Sequence, residues 1–309
     1  MPGIGVVMNP HSRSNRRNPG RLKRLAFIVG DKGSCHATQD VFDLEQVAGE
    51  FAAREVEILG ISGGDGTVHH TISTFIQVYG ARPLPMIALL RGGTVNNVAG
   101  AVGVRGTPES VLSRLILKYH EGAPFVTTPV HCLDVNGKYG FLFGNGLAVN
   151  FIGEYIRLGE GGGPTVAWLM AHSIGSAILN SPYFLKLARR YDATVTVDGK
   201  IWPFKNYTVI NAGTVEPFGF GFKPFPRARE RAGHFHLLAT SMLPRQILHS
   251  FATIWGGKPI RSEHALDDIA QQVEIQLAKP APYMIDGEFY PAVDRLHLRC
   301  GPALTMIRE

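Results

Sequence analysis

The first third of the chain alternates short apolar runs with segments whose apolar residues recur at helical spacing. Ile4 to Met8, Leu25 to Val29, Val56 to Ile61 and Met86 to Leu90 have the length and residue types of buried strands. Asp43 to Arg54, Thr67 to Tyr79 and Pro108 to His120 carry the helical period. Asp43 and Gln46 are spaced like a capping box, and Thr107 before Pro108 reads as a cap with proline at the first helical position. Strands alternating with helices predict a parallel sheet covered by helices.

After about Pro124 the rhythm changes to strand-like segments joined by tight turns. Val135-Asn136-Gly137-Lys138 and Val197-Asp198-Gly199-Lys200 are hairpin signals. Among them, Val166, Leu169, Met170, Ser173, Ile174, Ala177 and Ile178 follow one face of a helix, the pattern of a helical insert. The predicted fold class is an α/β N-terminal domain with a parallel sheet over residues 1–124, followed by a β-rich, sandwich-like C-terminal domain with a helical insert over residues 125–309. The final strand of the second domain is free to return to the first. No Asp, Glu, Lys or Arg lies between Glu160 and Lys186, but Pro164, His172, Gly175, Asn180 and Pro182 interrupt the stretch. Its most apolar part, Thr165 to Leu179, falls short of the ~20 residues that cross a bilayer, so no transmembrane span is expected.

Composition supports a folded chain: hydrophobic residues make up 45% and charged residues 18% of 309. Cys35, Cys132 and Cys300 are widely spaced and odd in number, which indicates neither a disulfide framework nor a zinc site and suits a reducing cytoplasm. The stretch Met1 to Met8 has no basic region ahead of its apolar run and reads as a first strand, not a signal peptide. The net charge is +6, and Arg13, Arg16, Arg17, Arg21, Lys23 and Arg24 crowd into one early segment. Such a segment attracts phosphate-bearing ligands or an anionic membrane, and composition does not choose between them and a solvated basic loop. Nothing else favours nucleic acid.

The chemistry concentrates at strand ends. The strand Val56 to Ile61 runs into Ser62-Gly63-Gly64-Asp65-Gly66-Thr67 and then a helix. Glycines in such a turn let backbone N–H groups approach a phosphate, and the helix N-terminus adds partial positive charge. An aspartate there repels phosphate unless Mg²⁺ or a substrate hydroxyl intervenes, so Asp65 itself points to phosphoryl chemistry. A second turn, Arg91-Gly92-Gly93-Thr94-Val95-Asn96-Asn97, follows Met86 to Leu90, and a third, Asn9-Pro10-His11-Ser12, follows the first strand. Three polar loops at neighbouring strand ends face one crevice in an open α/β sheet.

On these residues the chain resembles the diacylglycerol kinase and sphingosine kinase family, which is related in fold to the NAD kinases. Gly63 to Thr67 is the family's GGDGT signature, Gly93-Thr94-Val95-Asn96 resembles its GTxND loop, Asn9-Pro10 its opening turn, and Thr38 its threonine near the adenosine. Asp286-Gly287-Glu288 matches its DGE string. The resemblance implies a nucleotide-binding first domain that holds ATP with Asn9, Pro10, Thr38, Gly63, Gly64, Gly66, Thr67, Gly93, Thr94 and Asn96. It further implies transfer of the γ-phosphate, with Mg²⁺, to a lipid alcohol such as diacylglycerol, with Glu288 as base and Asp65 as metal or hydroxyl partner. A cytoplasmic enzyme of this kind visits an anionic membrane peripherally, through the basic segment or the Thr165 to Leu179 helix.

Three acids that the family carries are absent, their places taken by His70, Asn97 and Ala232. Asn97 cannot supply the negative charge that orients a hydrated Mg²⁺, and Ala232 removes a ligand of the family's structural magnesium, which is not expected here. These losses motivate an alternative, a degenerate member that binds nucleotide or lipid without transfer. His69 and His70, at the start of a helix, could touch phosphate when protonated, although two surface histidines are the commoner reading. A further alternative is a serine hydrolase, since Gly60-Ile61-Ser62-Gly63-Gly64 is a literal GxSxG, with Asp286 or Asp294 and then His297 following in order.

Overall fold

The computed structural model describes residues 3–30, 33–93, 96–159, 162–218 and 222–308. In the first part of the chain the elements run β1 (Ile4–Met8), α1 (Arg13–Arg16), α2 (Arg21–Val29), β2 (Ser34–Ala37), α3 (Val41–Ala53), β3 (Ile58–Ser62), α4 (Asp65–Tyr79), β4 (Met86–Leu89), α5 (Asn97–Ala101) and α6 (Pro108–His120). They form a unit of Met1–Val130 that also takes in Pro302–Glu309; His131–Gly301 form a second unit.

The sheet of the first unit runs β2-β1-β3-β4, with all these pairs parallel. The last residues of the chain add a further parallel partner, Met306 opposite Ile87. Every residue of β1 and β3 is buried, as expected of parallel strands covered on both faces. The helical cover is close: a Cβ on Gly5 would lie 2.2 Å from the ring of Phe51 on α3, so only glycine fits there.

Two local readings change. Leu25 to Val29 is helical, not a strand: Arg21, Leu25 and Val29, four apart, are the buried face of α2, while Phe27 is 87% exposed. A five-residue apolar run cannot by itself distinguish the two structures. The strand is instead Ser34–Ala37, whose residues are all half-buried and give no apolar signal. Helix α3 begins two residues earlier than expected. Asp40, not Asp43, is its cap and accepts from the Asp43 amide at 2.9 Å, while the Asp43 carboxylate accepts from the Gln39 amide at 3.0 Å. Helix α6 starts where Thr107 and Pro108 predict, with a reciprocal Thr107–Ser110 box.

The remaining elements are β5 (Thr127–Val135), β6 (Lys138–Gly140), β7 (Leu142–Gly146), α7 (Leu147–Arg157), α8 (Gly163–Ile178), α9 (Pro182–Leu187), β8 (Tyr191–Val197), β9 (Lys200–Ile201), β10 (Asn206–Tyr207), β11 (Val209–Gly213), β12 (Phe235–Thr240), α10 (Pro244–Trp255), β13 (Ala265–Ala270), β14 (Gln272–Ile285) and β15 (Glu288–Ile307). The chain passes between the units within β5 and again within β15. The second unit is β-rich and antiparallel. Strand β14 pairs with β8 near Val273 to Leu277 and with β7 near Tyr283 to Ile285. Its register against β15 shifts between Gln276 and Tyr283, a segment carrying Pro280 and Pro282 that cannot donate to a ladder. The bend lets strands from both ends of β14 enclose one core that includes Phe143, Val195, Tyr207, Phe235, Tyr283 and Leu296.

Both expected hairpins are present, and Asp286-Gly287 makes a third. Asn136-Gly137 (φ 51° and 79°), Asp198-Gly199 (47° and 81°) and Asp286-Gly287 (50° and 90°) all place two left-handed residues at the turn, the type I′ geometry that suits strand twist. The helical insert is α7 to α9, and α8 buries Val166, Leu169, Ser173 and Ala177; the expected stripe ends there, because Ile178 is exposed. Among the described residues no helix is long and apolar enough to cross a membrane.

Candidate active site

In the first unit the chain leaves β1 for β2 on one side of it and returns to β3 on the other. The ends of β1 and β3 therefore flank the place where strand order reverses, at which open α/β sheets hold ligands. Hydrogen bonds join the three polar loops there. The Asn9 amide donates to the Ser62 carbonyl at 3.1 Å, and Asn9 Nδ2 donates to Thr67 Oγ1 at 3.1 Å. The Gly92 amide donates to the Gly63 carbonyl at 2.8 Å, and Ser12 Oγ to the Gly92 carbonyl at 3.2 Å.

The glycines are required by contact, not by torsion angle. A Cβ on Gly63 would lie 2.3 Å from Thr67 Cβ, and one on Gly93 would lie 2.3 Å from Gly64 Cα. The two loops thus pack backbone on backbone. Helix α4 begins at Asp65, so the amides of Asp65, Gly66 and Thr67 stand in a first turn that has no intrahelical acceptors for them. Such a terminus, bare of side chains at Gly63, Gly64 and Gly66, is suited to phosphate oxygens.

Asp65 does something that the sequence does not announce. Its Oδ2 accepts from the Asn97 amide at 3.0 Å and its Oδ1 from the Val98 amide at 3.3 Å, so the carboxylate caps the start of α5. Burial pushes this carboxyl above its ordinary range, against the pull of the amides of Asn97, Val98 and Asn96. Asn96 closes the second loop on itself: its Oδ1 accepts from the Gly93 amide at 3.0 Å and its Nδ2 donates to the Gly93 carbonyl at 2.9 Å. Asn96 adopts the left-handed conformation, φ 54°, which asparagine tolerates. Thr94 lies outside the described residues.

Pro10 follows Asn9, whose Oδ1 accepts from the His11 amide at 2.8 Å in a local turn. Thr38, at the end of β2, is buried and donates its amide to the Met8 carbonyl at 3.0 Å, next to the β1 turn. Asn15 is a residue that sequence reasoning missed. Buried to 3% exposure, it donates to the carbonyls of both Asn9 and Ser62 and accepts from Arg21 Nη1 at 2.9 Å. The only signal was an asparagine six residues after the Asn-Pro turn.

This changes the basic segment. Arg21 is buried and contacts Glu109 at 3.1 Å, and Arg24 contacts the same oxygen at 2.9 Å. Two of the six cations thus serve the fold. His69 is fully buried, contrary to its reading as a surface residue, because it lies with Val68 and Ile72 on the core side of α4. The Ser62 hydroxyl is buried without a hydrogen-bond partner at the end of β3, and Ser62 is not among the left-handed residues. A nucleophile elbow needs a strained turn and an exposed hydroxyl, so the geometry opposes the hydrolase reading. His297 Nδ1 lies 3.8 Å from Glu274, not beside Asp286 or Asp294.

In the second unit the three residues Asp286-Gly287-Glu288 divide their work. The Asp286 carboxylate accepts from the amides of Phe141 (3.0 Å) and Leu142 (2.8 Å), and its own amide donates to the Leu142 carbonyl at 2.9 Å. Gly287 completes the turn, and Glu288, exposed, is the first residue of β15, opposite Ile285. The aspartate pins the hairpin that presents the glutamate.

Residues 3–126 match the family model of the diacylglycerol kinase catalytic domain, and so contain every loop of the first-unit site. This segment belongs to the diacylglycerol kinase catalytic-domain family. The likeness extends further along the chain: a diacylglycerol kinase of Bacillus subtilis (strain 168) is 23% identical over 301 residues, covering 92% of this chain and 89% of that protein. A crystal structure of a diacylglycerol kinase from Bacillus anthracis str. Sterne is similar with a TM-score of 0.66 at 16% identity, over 99% of this chain and 97% of that one. A second solved structure from that organism reaches 0.72 at 18% identity over the same shares. At such identities the structures speak for the fold: a parallel N-terminal sheet followed by a β-rich region. The matched segment takes in the GGDGT turn, and the relatives are kinases, not hydrolases.

Proposed function

We propose that this chain transfers the terminal phosphate of ATP to the hydroxyl of a lipid alcohol such as diacylglycerol. The observation that carries this reading is the glycine cradle: a Cβ on Gly92 would lie 2.7 Å from Gly63 N and one on Gly93 2.3 Å from Gly64 Cα, so no side chain fits between the two loops, and one on Gly63 would strike Thr67 at 2.3 Å. The first turn of α4 then offers backbone amides to phosphate oxygens. Bound there, ATP supplies the phosphoryl group and an ADP leaving group. In this reading Asn9 and Thr67 hold the β1 turn against the cradle, Asn96 keeps the second loop closed, and Asp65 positions that loop through the two α5 amides. Glu288 is assigned as the base: the lipid oxygen bonds to phosphorus, the bond to the bridging oxygen of ADP breaks, and the hydroxyl proton passes to the carboxylate.

A metal held by the protein does not fit equally well. Both Asp65 oxygens already accept backbone amides, Asn97 stands where the family has an acid, and among the described residues no group of three His, Cys, Asp or Glu could hold an ion. A divalent ion would enter on the nucleotide phosphates, as Mg²⁺ commonly does.

The test is turnover of labelled ATP with Mg²⁺ and a panel of lipid alcohols. Glu288→Gln should lower kcat by about 10²–10⁴ while leaving ATP affinity unchanged, since it removes only the proton acceptor. Asp65→Asn should instead weaken ATP binding, because an amide group cannot accept from both α5 amides. No phospholipid product from the unmutated chain across the panel, with ATP still bound, would establish a nucleotide-binding member without transfer.

A further inference from the structure

We infer that the exposed face of α8, continued by α9, is the surface by which this protein docks on an anionic lipid bilayer. The choice of a bilayer as the anionic partner rests on the lipid-alcohol reading above; the surface itself rests on the following geometry.

Helix α8 has two opposed stripes. Val166, Leu169, Ser173 and Ala177 are buried. On the other side Trp168, His172, Gly175 and Leu179 follow one another at three- or four-residue spacing and line up within about a third of a turn. Trp168 is 55% exposed, Ile178 57% and Leu179 80%. No charged residue interrupts this stripe or its flanking Ala167, Ala171 and Ile178. Trp168 stacks on His172 with ring centroids 5.0 Å apart, and His172 meets Tyr183 of α9 at 4.6 Å, so the face passes onto the next helix. There Leu185 is 46% exposed. Trp168 toward one end of this face and Ile178 and Leu179 at the other stand in water, joined by the small or aromatic Ala171, His172 and Gly175, and together mark a contact surface, not ordinary scatter.

Charge selects the partner. From Gly162 to Tyr191 there is no Asp or Glu, while Lys186, Arg189 and Arg190 follow directly on the stripe. Helix α10, which packs against α8, contributes no acid either. Among the described residues that flank the stripe along the chain, Glu154 on α7 contacts Arg157 at 2.8 Å, and Asp192 accepts from Asn206 at 2.7 Å; Glu160 lies outside the described residues. Arg190 donates to the Ser241 carbonyl, which leaves Lys186 and Arg189, both exposed, at the rim. Apolar residues led by tryptophan, with Lys186 and Arg189 at the rim and the adjoining Glu154 neutralised by Arg157, complement the headgroup region of an anionic leaflet. A second copy in a two-fold contact would bring cations against cations. The N-terminal basic segment is a weaker candidate, because Arg21 and Arg24 are held by Glu109.

The experiment is co-sedimentation of the full chain with vesicles of phosphatidylcholine alone or with about one-third phosphatidylglycerol. Binding should require the anionic lipid and weaken at about 0.5 M salt. Trp168→Ser with Leu179→Ser should weaken binding at least about tenfold, and Lys186→Gln with Arg189→Gln should abolish the preference for phosphatidylglycerol. Neither pair should alter phosphorylation of a short-chain diacylglycerol dispersed in water. Absence of vesicle binding, or binding indifferent to both pairs, would overturn the assignment whatever the kinase assay shows. A dimer dissolved by Trp168→Ser with Leu179→Ser, without vesicle binding, would assign the face to a second copy and also overturn it. Variant-sensitive vesicle binding by a chain that phosphorylates no lipid would uphold the surface while removing the kinase reading.

Discussion

Gly93 shows how a single hydrogen atom can govern the candidate site. It has no left-handed φ, so torsion preference does not demand glycine; a backbone 2.3 Å from the position of a Cβ does. Because the neighbouring atom is Gly64 Cα and not a movable side chain, Gly93→Ala must separate the two loops. It should cost about 1–3 kcal/mol of stability and weaken ATP binding, measured by urea denaturation and by nucleotide titration. Unchanged affinity would mean that the cradle does not hold phosphate. The residue scale is also where sequence reasoning was least complete. Asp65 was legible as a residue of phosphoryl chemistry, but its contacts with the Asn97 and Val98 amides join positions 32 and 33 apart along the chain. Asn15 was invisible for the same reason, since its importance lies in the two carbonyls to which it donates.

Among the elements, those with local signals were readable. Thr107, Pro108 and Ser110 fix the start of α6 through contacts within one turn, and the Asx-Gly turns fix their hairpins through two left-handed residues. Helix α3 gives a paired test of the same local physics. Asp40→Ala removes the cap that accepts the Asp43 amide and should destabilise the protein by about 1 kcal/mol. Gly49→Ala, in the exposed middle of the same helix where a Cβ meets nothing within 4 Å, should stabilise it by about 0.5–1 kcal/mol. Chemical denaturation of both variants would check the signs, and a destabilised Gly49→Ala would show that α3 is governed by packing and not by backbone entropy. Helix α2 and strand β2 were misread because each is short. Five apolar residues fit either period, and Ser34 to Ala37 carries a polar pattern imposed by its place at the sheet edge.

At the scale of the whole molecule, stability should depend on pH through buried carboxylates. Asp267 accepts from His236 Nε2 at 3.0 Å, from Arg227 Nη1 at 3.3 Å and from the Ile260 amide at 3.2 Å. Burial pushes its carboxyl up, but the hydrogen bond and charge of His236, the Ile260 amide and Arg227 outweigh it and hold the group below the usual range. A carboxyl depressed in the folded state stabilises above the unfolded value of about 4 and loses that contribution as pH falls further. Asp267→Asn should therefore cost about 1–3 kcal/mol at pH 7 and progressively less below about pH 4, read by denaturation at both ends. An equal cost at both would deny the ionised cluster any part in stability. The sequence alone determined the alternation of parallel strands and helices, the β-rich second half, the hairpins and the glycine-rich strand-to-helix turn at Gly63 to Thr67. Each is set by the period of side chains or by the torsion preferences of two or three adjacent residues. Only the tertiary structure decided which arginines of the basic segment are held by a distant acid, that Asp65 caps a helix it does not belong to, that Ser62 is sealed in the sheet, and which face of α8 stays in water. Those outcomes depend on partners remote along the chain, and no local pattern records them.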